Sequence, residues 1–161
     1  MPDHLSSPEA YQAFIYALRE HYPGIHQATL VYIPSDTLFG RVEGMLLFDQ
    51  DTILCVQEHL NFELEIIQGY GYEISRSHIS PNNPDIPAAA EYCRVSYPHK
   101  DKLYWYDSFP HPNDPALAVT HPHHKHVHPD IKHHRIPAPE LSFVRPNLPF
   151  LIREIEQLLK T

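Results

Sequence analysis

The residues best suited to chemistry in this chain are histidines in a short run near the C-terminus. The run reads His121-Pro122-His123-His124-Lys125-His126-Val127-His128 and is followed by His133 and His134, so it holds half of the chain's 14 histidines. Imidazole has an ordinary pKa of about 6.5, takes and gives protons near neutral pH, and is also the commonest metal ligand. The run is internal and interrupted by other residues, so it is not an added tag. It predicts acid–base chemistry, phosphate contact or metal binding.

Metal-independent cleavage of RNA is one chemistry that such residues can perform. It needs a base for the 2′-hydroxyl, an acid for the 5′-oxygen and a cation for the charge that builds on the phosphate. In an extended segment, successive side chains point to opposite sides, so His124 and His126 face one way and His123 and Lys125 the other. Two of the four are therefore expected to hold the loop. The candidate catalytic residues are His123, His124, Lys125 and His126, supported by His111 and oriented by Asp107.

Two further roles remain open for these histidines, namely a hydrogen-bonded scaffold that fixes the proline-rich segment and a metal site. Structural zinc sites usually combine two separated ligand clusters, whereas these histidines lie in one patch. We therefore expect no required metal and no cofactor, only adventitious metal binding by His111, His124 and His126. The remaining histidines of the run are expected to be solvated loop residues, namely His121, His128, His133 and His134.

The candidate substrate-binding residues are aromatic and basic. Tyr104, Trp105 and Tyr106 can stack on bases, as aromatic side chains do in single-strand sites, and Arg135 adds a positive charge. Two alternatives stay open from the sequence. Tyr104 and Tyr106 also fit the buried face of a strand, and Asp107 also fits the cap of a turn.

Two segments carry a family resemblance. Tyr106-Asp107 with Pro110-His111-Pro112, and then Pro122-His123-His124-Lys125-His126, resemble the TumE-like toxins of prokaryotic toxin–antitoxin modules. Members of that family carry a strand ending in Tyr-Asp-Asn, a Pro-His-His-Pro turn and a Pro-His-His-Lys-His block before a final helix. The likeness extends from about the first strand to the last helix. This chain departs from the pattern at Trp105, where the family typically carries arginine, and in the turn, which keeps one histidine.

The resemblance implies the toxin component of a type II module, a small cytoplasmic protein that acts on RNA or nucleotides. Its expected partners are a cognate DNA-binding antitoxin and RNA, with no membrane. Combined with the histidine and lysine residues, this gives a metal-independent ribonuclease as the leading hypothesis. The alternative is a non-catalytic interaction protein or metal-binding module whose histidine-rich loop is a partner surface.

The elements that must position these residues are predicted to form a single α+β domain, a curved antiparallel sheet with a helix from each terminus packed on it. The predicted parts are an N-terminal helix (1–24), a sheet (25–107), a proline- and histidine-rich loop (108–146) and a C-terminal helix (147–161). Alternation and turn residues place strands at 26–33, 38–48, 52–60, 62–75, 91–97 and 102–106. We expect the long loop to be ordered by packing on the sheet rather than by strand pairing.

Composition narrows the class of protein. A chain of 161 residues with 42% hydrophobic and 20% charged residues is typical of one soluble domain, and no apolar run approaches the ~18 residues of a membrane-spanning helix. The net charge of −8 argues against wholesale electrostatic binding to nucleic acid. Cys55 and Cys93 show no paired-cysteine motif, so we expect buried thiols in a reducing cytoplasm.

Overall fold

The computed structural model describes residues 3–76, 93 and 102–161. Its helices are α1 (Pro8–Tyr16), α2 (Leu18–His21) and α3 (Leu148–Leu159). Its strands are β1 (Gln27–Ala28), β2 (Val31–Pro34), β3 (Phe39–Leu47), β4 (Thr52–Asn61), β5 (Ile66–Arg76), β6 (Lys102–Asp107), β7 (His124–His126) and β8 (Arg135–Pro137). None of the helices in these ranges is long and apolar enough to cross a membrane.

Across the described ranges, the strands form one open antiparallel sheet. Both β1 and β2 pair with β3, and β3 to β8 then follow one another in chain order. The predicted α+β class, with an antiparallel sheet and terminal helices, is confirmed. The strand predicted at 91–97 and its connection to residue 102 lie outside the described residues.

The main core lies between one face of the sheet and the helices, because each element presents a single apolar face. Ser7 caps α1 by accepting a hydrogen bond from the Ala10 backbone N–H at 3.1 Å, and Pro8 occupies the first turn, where it is tolerated. The helix residues in this core are Tyr11, Ile15, Leu18, Leu148, Leu151, Ile152 and Ile155. Residues of β3 to β6 fill the sheet side of the same core.

A buried carboxylate ties both terminal helices to the sheet. Tyr11 of α1 donates its hydroxyl hydrogen to Glu58 of β4 at 2.6 Å, and Tyr72 of β5 donates to the other carboxylate oxygen. Burial raises the pKa of Glu58, and this effect outweighs the two hydrogen bonds, which lower it. Asn147 donates to the Tyr72 hydroxyl at 3.2 Å. Asn147 directly precedes α3, where asparagine commonly caps a helix, but its side chain makes no capping hydrogen bond because it bonds to Tyr72 and Ser142 instead.

The sequence-based boundaries need three corrections. The single helix predicted at 1–24 is two helices, α1 and α2. The strand predicted at 26–33 is two short strands, β1 and β2, which pair with different parts of β3. The segment 108–146 was expected to lack strand pairing, but it contributes β7 and β8 to the sheet edge. Neither histidine nor lysine is enriched in strands, so the tertiary pairing with β6, rather than local propensity, makes β7 a strand.

The cysteine prediction is also wrong. Cys55 and Cys93 form a disulfide across a Cα–Cα distance of 5.6 Å, so neither is a free thiol. Cys55 lies in a small apolar cluster with Met45, Leu47 and Ile53, on the face of the sheet opposite to the main core. Sequence separation alone does not reveal that the two residues meet, because a disulfide depends on spatial proximity.

Candidate functional site

The register of β6 and β7 determines which side chains meet. Asp107 pairs with His124, Tyr106 with Lys125, and Trp105 with His126. Directly opposed residues of antiparallel strands share a face of the sheet, so Asp107 and both histidines project away from the helices while Lys125 projects toward them. The predicted separation of His124 and His126 from Lys125 is confirmed.

Asp107, His124 and His126 converge into what we call the Asp–His–His centre. Their ligand-type atoms all lie within 4.8 Å of one another. His124 Nε2 is 2.9 Å from Asp107 Oδ1, His126 Nε2 is 3.3 Å from Asp107 Oδ2, and the two Nε2 atoms are 3.1 Å apart. His124 and His126 are only 1% and 4% exposed, while the Asp107 side chain retains 27% exposure. The centre is therefore reached from the Asp107 side.

Backbone carbonyls set the orientation of both imidazole rings. His124 Nδ1 lies 2.9 Å from the Pro122 carbonyl oxygen, and His126 Nδ1 lies 2.8 Å from the Ile131 carbonyl oxygen. A carbonyl only accepts hydrogen bonds, so each Nδ1 must carry a hydrogen. In the neutral rings, both Nε2 atoms then present lone pairs to each other and to the Asp107 carboxylate. The centre is thus a group of acceptors that a proton or a cation must hold together.

Asp107 is held in place from two sides. The Trp105 indole N–H donates to Oδ2 at 3.2 Å, and the Phe109 backbone N–H donates to Oδ1 at 3.0 Å. Burial by itself raises the pKa of Asp107, but the hydrogen bonds that His124 and His126 donate when an Nε2 atom carries a proton outweigh it and hold this pKa well below its ordinary value. Asp107 therefore stays ionised and also caps the turn at Phe109, the alternative role that the sequence left open.

Three predicted residues line the rim of the centre. The His111 ring lies edge-on to that of His124, with centroids 4.9 Å apart, although His111 does not belong to the converging group. Arg135 pairs with His126 across β7 and β8, and its charge contributes with burial to lowering the pKa of His111. Trp105 stacks on His126 at a centroid distance of 4.2 Å. The Phe109 side chain is 69% exposed, and its ring centroid lies 5.5 Å from that of His111.

Other predicted site residues lie on the helix side of the sheet. Lys125 Nζ is 3.5 Å from Glu154 and sits 4.2 Å from the centroid of the Tyr104 ring. Tyr104 and Tyr106 are buried in the main core, where the Tyr106 hydroxyl donates to Glu154 at 2.8 Å. His123 Nδ1 is 2.7 Å from the Tyr70 hydroxyl. The structure therefore does not bring Lys125, His123, Tyr104 or Tyr106 to the Asp–His–His centre.

The remaining histidines of the run are exposed, as predicted, namely His121, His128, His133 and His134. Sequence reasoning missed the two carbonyl groups, of Pro122 and Ile131, that fix the rings. Nothing in a residue type signals that its carbonyl faces an imidazole. A cavity of about 420 Å³ lies farther along the same face of the sheet, and Glu43, Gln57, Gly71 and Glu73 are among the residues that line it.

One comparison with known proteins identifies a family for this chain. The family model for Toxin TumE matches residues 20–159 of the chain. The chain therefore belongs to the TumE toxin family. This family indicates a toxin of a toxin–antitoxin system, and such a toxin in general has an antitoxin as its partner. Neither the curated proteins nor the solved structures contain a significant match.

Proposed function

We propose that this toxin cleaves RNA at the Asp–His–His centre and that a cognate DNA-binding antitoxin neutralises it. The observation that supports the proposal is the convergence of two imidazole Nε2 atoms and one ionised carboxylate at a partly open site. Groups that accept and donate protons near neutral pH, with a fixed orientation, are what phosphodiester cleavage requires. The alternative is a non-catalytic interaction protein, in which the same hydrogen bonds serve only as a scaffold that fixes the loop.

The proposed reaction is transesterification within the RNA chain. A base at the centre removes the 2′-hydroxyl proton, the 2′-oxygen bonds to phosphorus, and the P–O5′ bond breaks as the 5′-oxygen receives a proton. The products are a 2′,3′-cyclic phosphate and a 5′-hydroxyl. The attacking and leaving oxygens lie on opposite sides of the phosphorus, whereas His124 and His126 Nε2 are 3.1 Å apart and share one location. His111, on the rim, is therefore the better placed donor for the leaving oxygen.

The cation in this proposal is Arg135 rather than Lys125. The His/Lys mechanism that the sequence suggests needs the Lys125 ammonium at the phosphate, but that ammonium contacts Glu154 and the Tyr104 ring on the other side of the sheet. Arg135 lies beside His126 in the β7–β8 register. The neighbouring cavity is lined by Glu43 and Glu73, which form ion pairs with Arg41 and Lys102. We therefore place the RNA backbone along Arg135 and His111, where a cation remains for the phosphate, with Phe109 as a stacking surface.

Growth arrest on expression without the antitoxin gene tests the proposal. We expect the wild-type chain to arrest growth and degrade cellular RNA, and His124→Ala with His126→Ala to relieve both effects. His133→Ala with His134→Ala is the matched control, because these two histidines belong to the same run but are exposed. This control should remain toxic. Accumulation of each variant is checked by immunoblot, and the yield of folded protein by circular dichroism.

An RNA target places the action of the toxin in the cytoplasm, where disulfides are usually kept reduced. Purified protein is therefore assayed with and without reductant. The Cys55–Cys93 disulfide lies in a different cluster from the Asp–His–His centre, so its reduction removes no residue of that centre. Harmless expression of a stably folded chain, or equal toxicity of the double-histidine variant, would favour the interaction protein.

A further inference from the structure

We infer that the Asp–His–His centre is a binding site for a divalent transition-metal ion, with Asp107, His124 and His126 as its protein ligands. Two imidazole nitrogens and one carboxylate form a donor set that suits zinc, cobalt, iron(II) or manganese better than magnesium or calcium. This inference adds a metal ion to the site of the proposed function, and its biological meaning rests on that function. The binding itself is measured without RNA.

The first argument is the direction of the lone pairs. Both Nδ1 atoms are used by the Pro122 and Ile131 carbonyls, so the free coordination positions are the two Nε2 atoms. Metal-binding histidines typically donate their second ring N–H to a carbonyl or carboxylate, which fixes the ring and the tautomer. Here both rings already have that arrangement, and both Nε2 atoms point at the same carboxylate.

The second argument is the spacing of the ligand atoms. Ligand atoms about 2.0–2.1 Å from one ion are roughly 3.3 Å apart in a tetrahedral site and roughly 3.0 Å apart in an octahedral one. The two Nε2 atoms are 3.1 Å apart, His124 Nε2 is 2.9 Å from Asp107 Oδ1, and His126 Nε2 is 3.3 Å from Asp107 Oδ2, so each imidazole faces a different oxygen of the carboxylate. With one ligand atom from each residue, the three atoms lie within 4.8 Å of one another. Three acceptor groups at such distances repel one another unless a positive centre lies between them. A divalent ion can bind all three acceptor groups at once, whereas a single proton between them can bridge only two.

The third argument is the support around the ligands. Trp105 and Phe109 each donate an N–H to Asp107, and the Trp105 ring stacks on His126. The imidazoles are buried while Asp107 is partly open, so an ion would keep positions on the Asp107 side for water or substrate. An ion bound here would occupy both Nε2 lone pairs, so a metal-bound water of lowered pKa, rather than an imidazole, would supply the base of the proposed reaction.

The test uses Co²⁺ as the probe and the single tryptophan of the chain as the reporter. Because Trp105 stacks on His126, one equivalent of Co²⁺ added to metal-free protein should quench its fluorescence and produce visible Co²⁺ absorption. Zn²⁺ should displace the cobalt and restore the emission, and Mg²⁺ should have no effect. Asp107→Asn should weaken Co²⁺ binding by more than the roughly 10- to 100-fold that loss of an outer partner costs.

The matched control is Asp130→Asn. Asp130 and His133 form an exposed pair 3.0 Å apart, a surface arrangement able to bind metal adventitiously. Asp130→Asn should leave Co²⁺ binding unchanged. The inference is overturned if stoichiometric Co²⁺ leaves Trp105 emission unchanged, or if Asp130→Asn rather than Asp107→Asn removes binding. Binding without RNA cleavage would retain the metal site and remove the ribonuclease, whereas cleavage without binding would remove the metal site alone.

Discussion

Removal of the Cys55–Cys93 disulfide is expected to destabilise the fold by an amount that follows from chain entropy. The bond joins residues 38 positions apart. Closing a loop of that length removes about 13 cal/mol/K from the entropy of the unfolded chain, which corresponds to about 4 kcal/mol at 25 °C. With a urea m-value of about 2 kcal/mol/M, the midpoint of unfolding should fall by about 2 M.

The assay compares urea unfolding of the wild-type chain with that of Cys55→Ala with Cys93→Ala. Alanine is preferred to serine because Cys55 is buried beside Met45, Leu47 and Ile53, where a hydroxyl would lack a partner. Adding reductant to the wild-type chain should reproduce the shift, and adding it to the double variant should change nothing. A midpoint shift below about 0.5 M would refute the reasoning, because the disulfide would then contribute little to stability.

Three further predictions concern the core and the helix side of the sheet. Ile155 of α3 is fully buried, so Ile155→Asp should lower the free energy of unfolding by about 4 kcal/mol or more. Gln157→Asp, on the exposed side of the same helix, should lower it little. Thermal melting of the two variants compares these losses. Burial raises the pKa of Glu58, so the folded chain keeps a proton that the unfolded chain has lost. The contribution of Glu58 to stability is therefore complete below pH 4.5 and is lost as the pH rises through the raised pKa. Urea midpoints against pH should fall less steeply in Glu58→Gln, and parallel curves would contradict this assignment. Lys125→Ala removes a partly buried ion pair and cation–π contacts with two tyrosines, so its loss of stability should be about 1 kcal/mol by the same measurement.

Much of the fold follows from local patterns. Ser7 and Pro8 mark the first helix, the apolar spacing marks α3, and alternation marks the long strands. The turn at Gln50 and Asp51 was also predictable as a short hairpin connection, and both residues have positive φ there. A glycine inside a strand pattern typically marks a bulge or bend, and the pairing of β4 with β5 shifts register beside Gly69.

The site was only half predictable. Alternation along an extended segment places His124 and His126 together and Lys125 apart. Their meeting with Asp107 depends on the β6–β7 register, which is a long-range pairing that no local pattern specifies. The ring orientations depend on the carbonyls of Pro122 and Ile131, which carry no side-chain signal. The family resemblance pointed to the same block of residues but not to their geometry.

Cleavage of a defined RNA by purified, antitoxin-free protein is the measurement that tests the central claim most directly. We expect the wild-type chain to produce fragments that end in 2′,3′-cyclic phosphate, with no cleavage of the matching DNA, which lacks the 2′-hydroxyl. Asp107→Asn should abolish the reaction while the fold is retained, and His133→Ala, at an exposed position, should preserve it. An RNA that stays intact with folded wild-type protein, or equal cleavage by Asp107→Asn, would contradict the assignment of the Asp–His–His centre as a ribonuclease site.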